Sequence, residues 1–73
     1  GERFAPASGQ GYDKTDVDAL MDRIAGYFDS DTTLTSSEVR GAVFRRARGN
    51  KAYGEPSVDR YLARVVEVLL SVE

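Results

Sequence analysis

YDKTDVDALMDRIAGYF, residues 12–28, and YGEPSVDRYLARVVEVL, residues 53–69, decide the reading of this chain. Laid over each other without gaps, they match at an offset of forty-one residues throughout. Tyr12 falls on Tyr53, Val17 on Val58, Asp18 on Asp59, Arg23 on Arg64, Ile24 on Val65 and Phe28 on Leu69. Upstream, Phe4 pairs with Phe44 if the second loop is one residue longer. The chain is therefore an internal duplication. Repeat one covers about residues 4–29 and repeat two about residues 34–72, within a single domain spanning residues 1–73.

The spacing from Tyr to Val has a physical cause. With Asp13 as N-cap, Tyr12 sits just before it and Val17 is the fourth helical residue. Those positions touch across the entry to a helix as a hydrophobic staple. Tyr53 and Val58 repeat the device, and so do Leu34 and Val39. Apolar residues at Val17, Leu20, Met21, Ile24 and Phe28 give one helical stripe, predicting a helix over about 14–28. A second helix is expected to open at the capping box Thr35-Ser36-Ser37-Glu38 and to stop before Gly49-Asn50. Val39, Val43 and Ala47 would be its buried face, with Phe44 widening it. A third helix over about 55–72 carries Pro56 in its first turn, where a missing amide costs nothing. Its stripe is Val58, Tyr61, Leu62, Val65, Leu69 and Val72, with Val66, Val68 and Leu70 as further apolar surface. The fold expected is all-α: a small three-helix bundle of long, short and long helix, with the two long helices parallel.

Composition narrows the function. The 73 residues contain no Cys and no His, which removes disulfides, thiol nucleophiles, imidazole bases and the common zinc sites. Asp29 and Asp31 suggest a calcium loop, but that loop would place Gly at 34 and Glu at 40, where Leu34 and Arg40 stand. The Asp residues near the helix starts read as caps and dipole partners. With neither a nucleophile–base pair nor a phosphate cradle, the sequence is read as non-enzymatic, with no cofactor and no metal. No stretch approaches a bilayer span. Gly1-Glu2-Arg3 lacks a signal pattern and an initiating Met, as in an excised domain.

Net charge is −2, unevenly spread. Residues 13–31 carry six Asp against Lys14 and Arg23, while Arg40, Arg45, Arg46, Arg48 and Lys51 follow against Glu38 alone. Either the two blocks lie against each other within the fold or are merely solvated faces, or the basic one meets an anionic partner. A nucleic-acid-binding helical domain using the basic 40–51 segment is the alternative function; the acidic total charge stands against it.

The motifs resemble those of the DivIVA-type domain of bacterial cell-division and polar-growth scaffolds. Repeat one keeps GYD at Gly11, Tyr12 and Asp13, and VD at Val17 and Asp18. Repeat two keeps LT at Leu34 and Thr35, then Phe44, Tyr53, and VD at Val58 and Asp59, with AYG in place of GYD. The resemblance implies a non-catalytic protein–protein interaction module of the kind found as tandem repeats in actinobacteria. Its partners would be a second copy or another division or cell-envelope protein. The location implied is cytoplasmic, extending to the inner face of the membrane. Where membrane-binding members carry an exposed aromatic, this chain has Gly9 and Gln10, then Asn50 and Lys51, so any lipid contact would be weak and electrostatic. The candidate interaction surface is Arg45, Arg46, Arg48, Lys51, Val66, Val68 and Leu70. The residues that define the repeat are Phe4, Tyr12, Val17, Asp18, Phe44, Tyr53, Val58 and Asp59.

Overall fold

A computed structural model describes residues 3–73. Strand β1 (Gln10–Asp13) leads straight into helix α1 (Lys14–Phe28). The short helix α2 (Ser36–Arg40) follows, then strand β2 (Arg46–Arg48), a 3-10 turn (Gly49–Lys51), strand β3 (Ala52–Tyr53) and helix α3 (Glu55–Val72).

The three helix starts form for local reasons. Asp13 caps α1 by accepting the Asp16 N–H at 3.1 Å. Thr35 and Glu38 close a capping box on α2, the Thr35 N–H donating to the Glu38 carboxylate at 3.1 Å. α3 opens on Gly54 with Pro56 in the first turn. The staple valines are all covered: Val17 and Val58 at 0 % exposure and Val39 at 3 %. They belong to one core with Leu20, Met21, Ile24, Leu34, Tyr53, Val65 and Leu69. α1 closes through turn bonds from the Asp29 and Asp31 N–H groups to the Ala25 and Gly26 carbonyls.

The all-α bundle expected from the sequence is corrected by a three-stranded antiparallel sheet of order β2-β1-β3. The second helix is the element that fails. It stops at Gly41, not at Gly49, and Val43 is 90 % exposed where a buried face was expected. Beyond Gly41 the backbone is taken by tertiary partners. The Arg45 N–H donates to the Asp16 carboxylate at 2.8 Å, and the Arg45 carbonyl accepts the Asp13 N–H at 2.9 Å. The chain then pairs with β1 in the register Tyr12↔Arg46, Gly11↔Ala47, Gln10↔Arg48. The 3-10 turn, with Gly49 at a φ of +58°, carries it to the other side of β1, where Tyr53 faces Tyr12. Residues 5–7 line the far edge of β3 through Ala7 N–H to Ala52 carbonyl and Gly54 N–H to Ala5 carbonyl bonds.

Above this sheet the two long helices run in the same direction. The tyrosines just ahead of them bond across, Tyr12 to Asp59 of α3 and Tyr53 to Asp18 of α1; Met21, Ile24 and Tyr61 border one groove midway, and Phe28 lies with Val68 and Val72 at the far end. α2 runs the opposite way along α3. Its start is bonded by Glu73, and the chain after it brings Phe44 onto the Tyr12 ring at α3's beginning. Among the described residues, no helix is long and apolar enough to cross a membrane.

Gly11 sits where β1 passes closest to β3. A Cβ there would lie 2.3 Å from the Tyr53 carbonyl oxygen and 2.9 Å from the Ala7 Cβ. Backbone cannot yield as a flexible side chain does, so Gly11→Ala is expected to destabilise the fold by roughly 1–3 kcal/mol, as overpacking does. Urea denaturation followed by circular dichroism measures it. An unchanged midpoint would mean that the strands separate freely.

Candidate interaction surfaces

At the sheet end, the repeat-defining residues converge and exchange partners. The Tyr12 hydroxyl donates to the Asp59 carboxylate at 2.7 Å, and the Tyr53 hydroxyl donates to the Asp18 carboxylate at 2.7 Å. Each tyrosine thus reaches the aspartate of the other repeat. The phenylalanines do the same: Phe4 packs edge-on against Tyr53 with centroids 5.3 Å apart, and Phe44 against Tyr12 at 5.1 Å. Tyr12↔Tyr53 is also the strand pair between them. The two repeats are therefore related by a local twofold that passes between the tyrosines. Asp18 and Asp59, read from the sequence as caps and dipole partners, accept these phenol bonds, which the sequence does not announce.

The basic segment lies on this sheet and its loops, not on a helix. Arg45 clasps Asp16 through Nε at 3.0 Å and Nη2 at 2.8 Å. Arg46 forms an ion pair with Glu55 and covers the Tyr12 ring. Arg48 and Lys51 remain exposed, and neither has an ion-pair or hydrogen-bond partner among the described residues. Two of the four candidate cations are thus already matched by carboxylates of the fold.

The apolar candidates lie elsewhere. Val66 borders a groove with Val39, Ala42 and Leu62 between α2 and α3. Val68, 45 % exposed, meets Tyr27, Phe28 and Val72 between α1 and α3. Leu70 is 47 % exposed. From the start of α3 to Val68 the helix rises about 20 Å, so the cations and the exposed valines do not share one patch. Phe28, at 55 % exposure, joins the apolar end, although its stripe position predicted burial. Its counterpart in the alignment, Leu69, is fully buried. Glu73, also missed, accepts from the Ser36 N–H at 2.7 Å and the Ser36 hydroxyl at 2.8 Å, capping α2 from outside.

No protein-family model, no curated protein and no solved structure matches this chain.

The side-chain network sets two pH limits. The Tyr12 phenol is raised by its bond to Asp59, and that of Tyr53 by burial and then by its bond to Asp18, both from an ordinary value of 10.0. The folded state holds these protons more tightly than the unfolded chain. The stability they contribute is complete below pH 10 and lost as pH rises through the folded values. In a spectroscopic titration, the tyrosinate absorbance of these two should appear late and coincide with loss of helical signal. In Asp59→Asn the Tyr12 step should move back toward pH 10. Two steps already at pH 10 in the parent protein would rule the bonds out.

At the acid end, Arg45 bonds hold Asp16 down to about 2 from 3.8, and Arg23 holds Glu38 below 4.5. Their stabilisation is present above those ordinary values and lost as pH falls toward 2. The drop in urea midpoint between pH 5 and pH 2.5 should shrink in Asp16→Asn; an equal drop would show that this pair contributes nothing.

Proposed function

We propose that the chain is a non-catalytic protein–protein interaction module of the DivIVA-like kind, serving as a scaffold in cell division or polar growth. One observation carries the reading. Two helices of like sequence leave one sheet side by side in the same direction and end in uncovered apolar side chains. Phe28, Val68 and Val72 are 55 %, 45 % and 65 % exposed at that far end. Isolated surface apolar residues need no explanation, but a cluster at one end of a small domain fits contact with another protein. The phenol–aspartate exchange supports the same reading, since it builds in one chain the symmetric pairing that a scaffold dimer would need two chains to make.

The nucleic-acid alternative loses support from the arrangement. Phosphate binding draws on cations free to displace counterions. Arg45 and Arg46 face Asp16 and Glu55 instead, and the chain as a whole is acidic. The proposed location is cytoplasmic, extending to the inner face of the membrane, reached through the partner protein more than through lipid.

A fluorescent fusion in a polar-growing bacterium tests the proposal. It should collect at septa or poles, and the double variant Val68→Asp, Val72→Asp should lose at least tenfold of that enrichment while keeping its helical spectrum. Sedimentation velocity across a hundredfold concentration range adds the state of self-association. Uniform fluorescence of the unaltered protein would overturn the scaffold role.

A further inference from the structure

The local twofold allows the starts of the two long helices to be compared residue by residue. At the start of α1 the Asp13 N–H donates to the Arg45 carbonyl at 2.9 Å; at the start of α3 the Gly54 N–H donates to the Ala5 carbonyl at 3.1 Å. Arg45 and Ala5 are therefore counterparts, and the offset of forty-one residues makes Asp16 and Ser57 counterparts as well. Both are half-buried in the first turn of their helix.

In repeat one this place holds a closed ion pair. The Asp16 carboxylate accepts the Arg45 N–H at 2.8 Å and the Arg45 guanidinium at 3.0 and 2.8 Å. In repeat two the donors stand without the anion. The Ala5 N–H, set where the Arg45 N–H is set, donates to no acceptor among the described residues. The Ser57 hydroxyl has no hydrogen bond to them either. The cation comes from the helix instead of the strand: Arg60, where repeat one has Ala19, lies one turn beyond Ser57, and Arg64 follows one turn later. Both arginines are exposed, and neither makes an ion pair or hydrogen bond among the described residues. Ser57, Arg60, Tyr61 and Arg64 line one shallow depression. The carboxylates nearest in α3 are already engaged, Glu55 with Arg46 and Asp59 with the Tyr12 hydroxyl.

We propose that Ser57 is a phosphorylation site, its phosphate filling the place that the Asp16 carboxylate fills in repeat one. The Ser57 Oγ attacks the terminal phosphorus of a nucleoside triphosphate held by a protein kinase. The new P–O bond replaces the one to the departing nucleoside diphosphate, and the hydroxyl proton passes to the kinase's general base. The product carries about −1.5 to −2 charges and three acceptor oxygens opposite an arginine pair. One oxygen accepts the Ala5 N–H, as Asp16 accepts that of Arg45. The others accept from Arg60 and Arg64, whose planar forks match phosphate oxygens. Ala5 presents a methyl group where repeat one has a guanidinium, which leaves room for a group longer than a carboxylate. The phosphate thereby ties residues 4–6 to α3. That segment already rests on the junction through Phe4, edge-on to Tyr53 and Tyr61, and through the Pro6–Tyr53 bridge. The site does not depend on the scaffold role, since it concerns α3 and the strand beside it alone.

Phosphopeptide mass spectrometry of the protein isolated from its own cells, growing and stationary, should find phosphate on Ser57. Its absence from both would overturn the site. The clamp is measured on protein carrying phosphoserine at position 57, introduced during translation. Its urea midpoint should rise by about 0.5 M or more over that of the unmodified protein. In a phosphorus-31 titration its second ionisation should fall below the usual value of about 6, and the Ala5 amide proton should move downfield. Arg60→Ala should remove most of the rise, and Arg60→Ala with Arg64→Ala all of it, while the unmodified protein keeps its midpoint in both. Phosphoserine placed at the exposed Ser8 controls for added charge and should give no rise. Ser57→Ala, which removes a hydroxyl without a partner, should leave stability unchanged and abolish the phosphopeptide. A phosphorylated protein no more stable than the unmodified one, or a rise that survives loss of both arginines, would overturn the proposal.

Discussion

Each tyrosine of this protein is held by the aspartate of the opposite repeat, and the rest of the structure is arranged around that exchange. Tyr12 and Tyr53 sit just before their helix caps, so the backbone that places the ring also launches the helix. They face each other across an antiparallel strand pair. Their hydroxyls reach Asp59 and Asp18, the residues directly after the staple valines. One side chain therefore fixes the angle at which its own helix leaves the sheet and the position of the other helix beside it. The aspartates follow directly on the first turns of their helices, and as carboxylates they are strong acceptors for the phenol hydroxyls.

That junction explains why so little sheet is enough. Strands of four, three and two residues are far below what stands alone. Here they act as a clasp between two helices whose apolar stripes supply the burial. The clasp also decides the fate of residues 41–48. Phe44 has to reach Tyr12, and Arg45 has to reach Asp16 with both its backbone N–H and its guanidinium. A helix continued through Val43 and Ala47 would point both away. Gly41 ends α2 in time for the extended path.

What the sequence makes legible follows the range of the forces involved. α1 and α3 are readable to the residue, because the 3.6-residue period, the Asp13 cap of α1 and Pro56 in the first turn of α3 are local. The duplication is readable because it repeats side chains at a fixed offset. The sheet is not: two or three residues carry no alternation, and the Val39, Val43, Ala47 spacing imitates a helical stripe in a segment held extended by partners some thirty residues away. The acidic and basic blocks are visible as charge, and the reading that they lie against each other within the fold applies to Arg45 with Asp16. The exposure of Phe28 is half legible: aligning it with Leu69 names the pair, but only the three-dimensional structure reveals that one is covered and the other exposed.

A chain of 73 residues without disulfides has a small core, and association is the common remedy. Duplication brings that remedy inside the molecule. Two like helices joined by one chain meet at an effective concentration no dimer of separate chains enjoys. The solution is asymmetric, however, because symmetry between repeats is kept only where both halves contribute to the shared junction. Phe4 and Phe44, the tyrosines, the valines and the aspartates all lie there and match. Away from it the described residues differ, α2 packing along α3 beside the covered Leu69 while Phe28 of α1 is exposed. A strictly symmetric pair would bury both outer grooves or neither. Among the described residues Leu69 is covered and Phe28 is 55 % exposed, so the matching is confined to the junction itself.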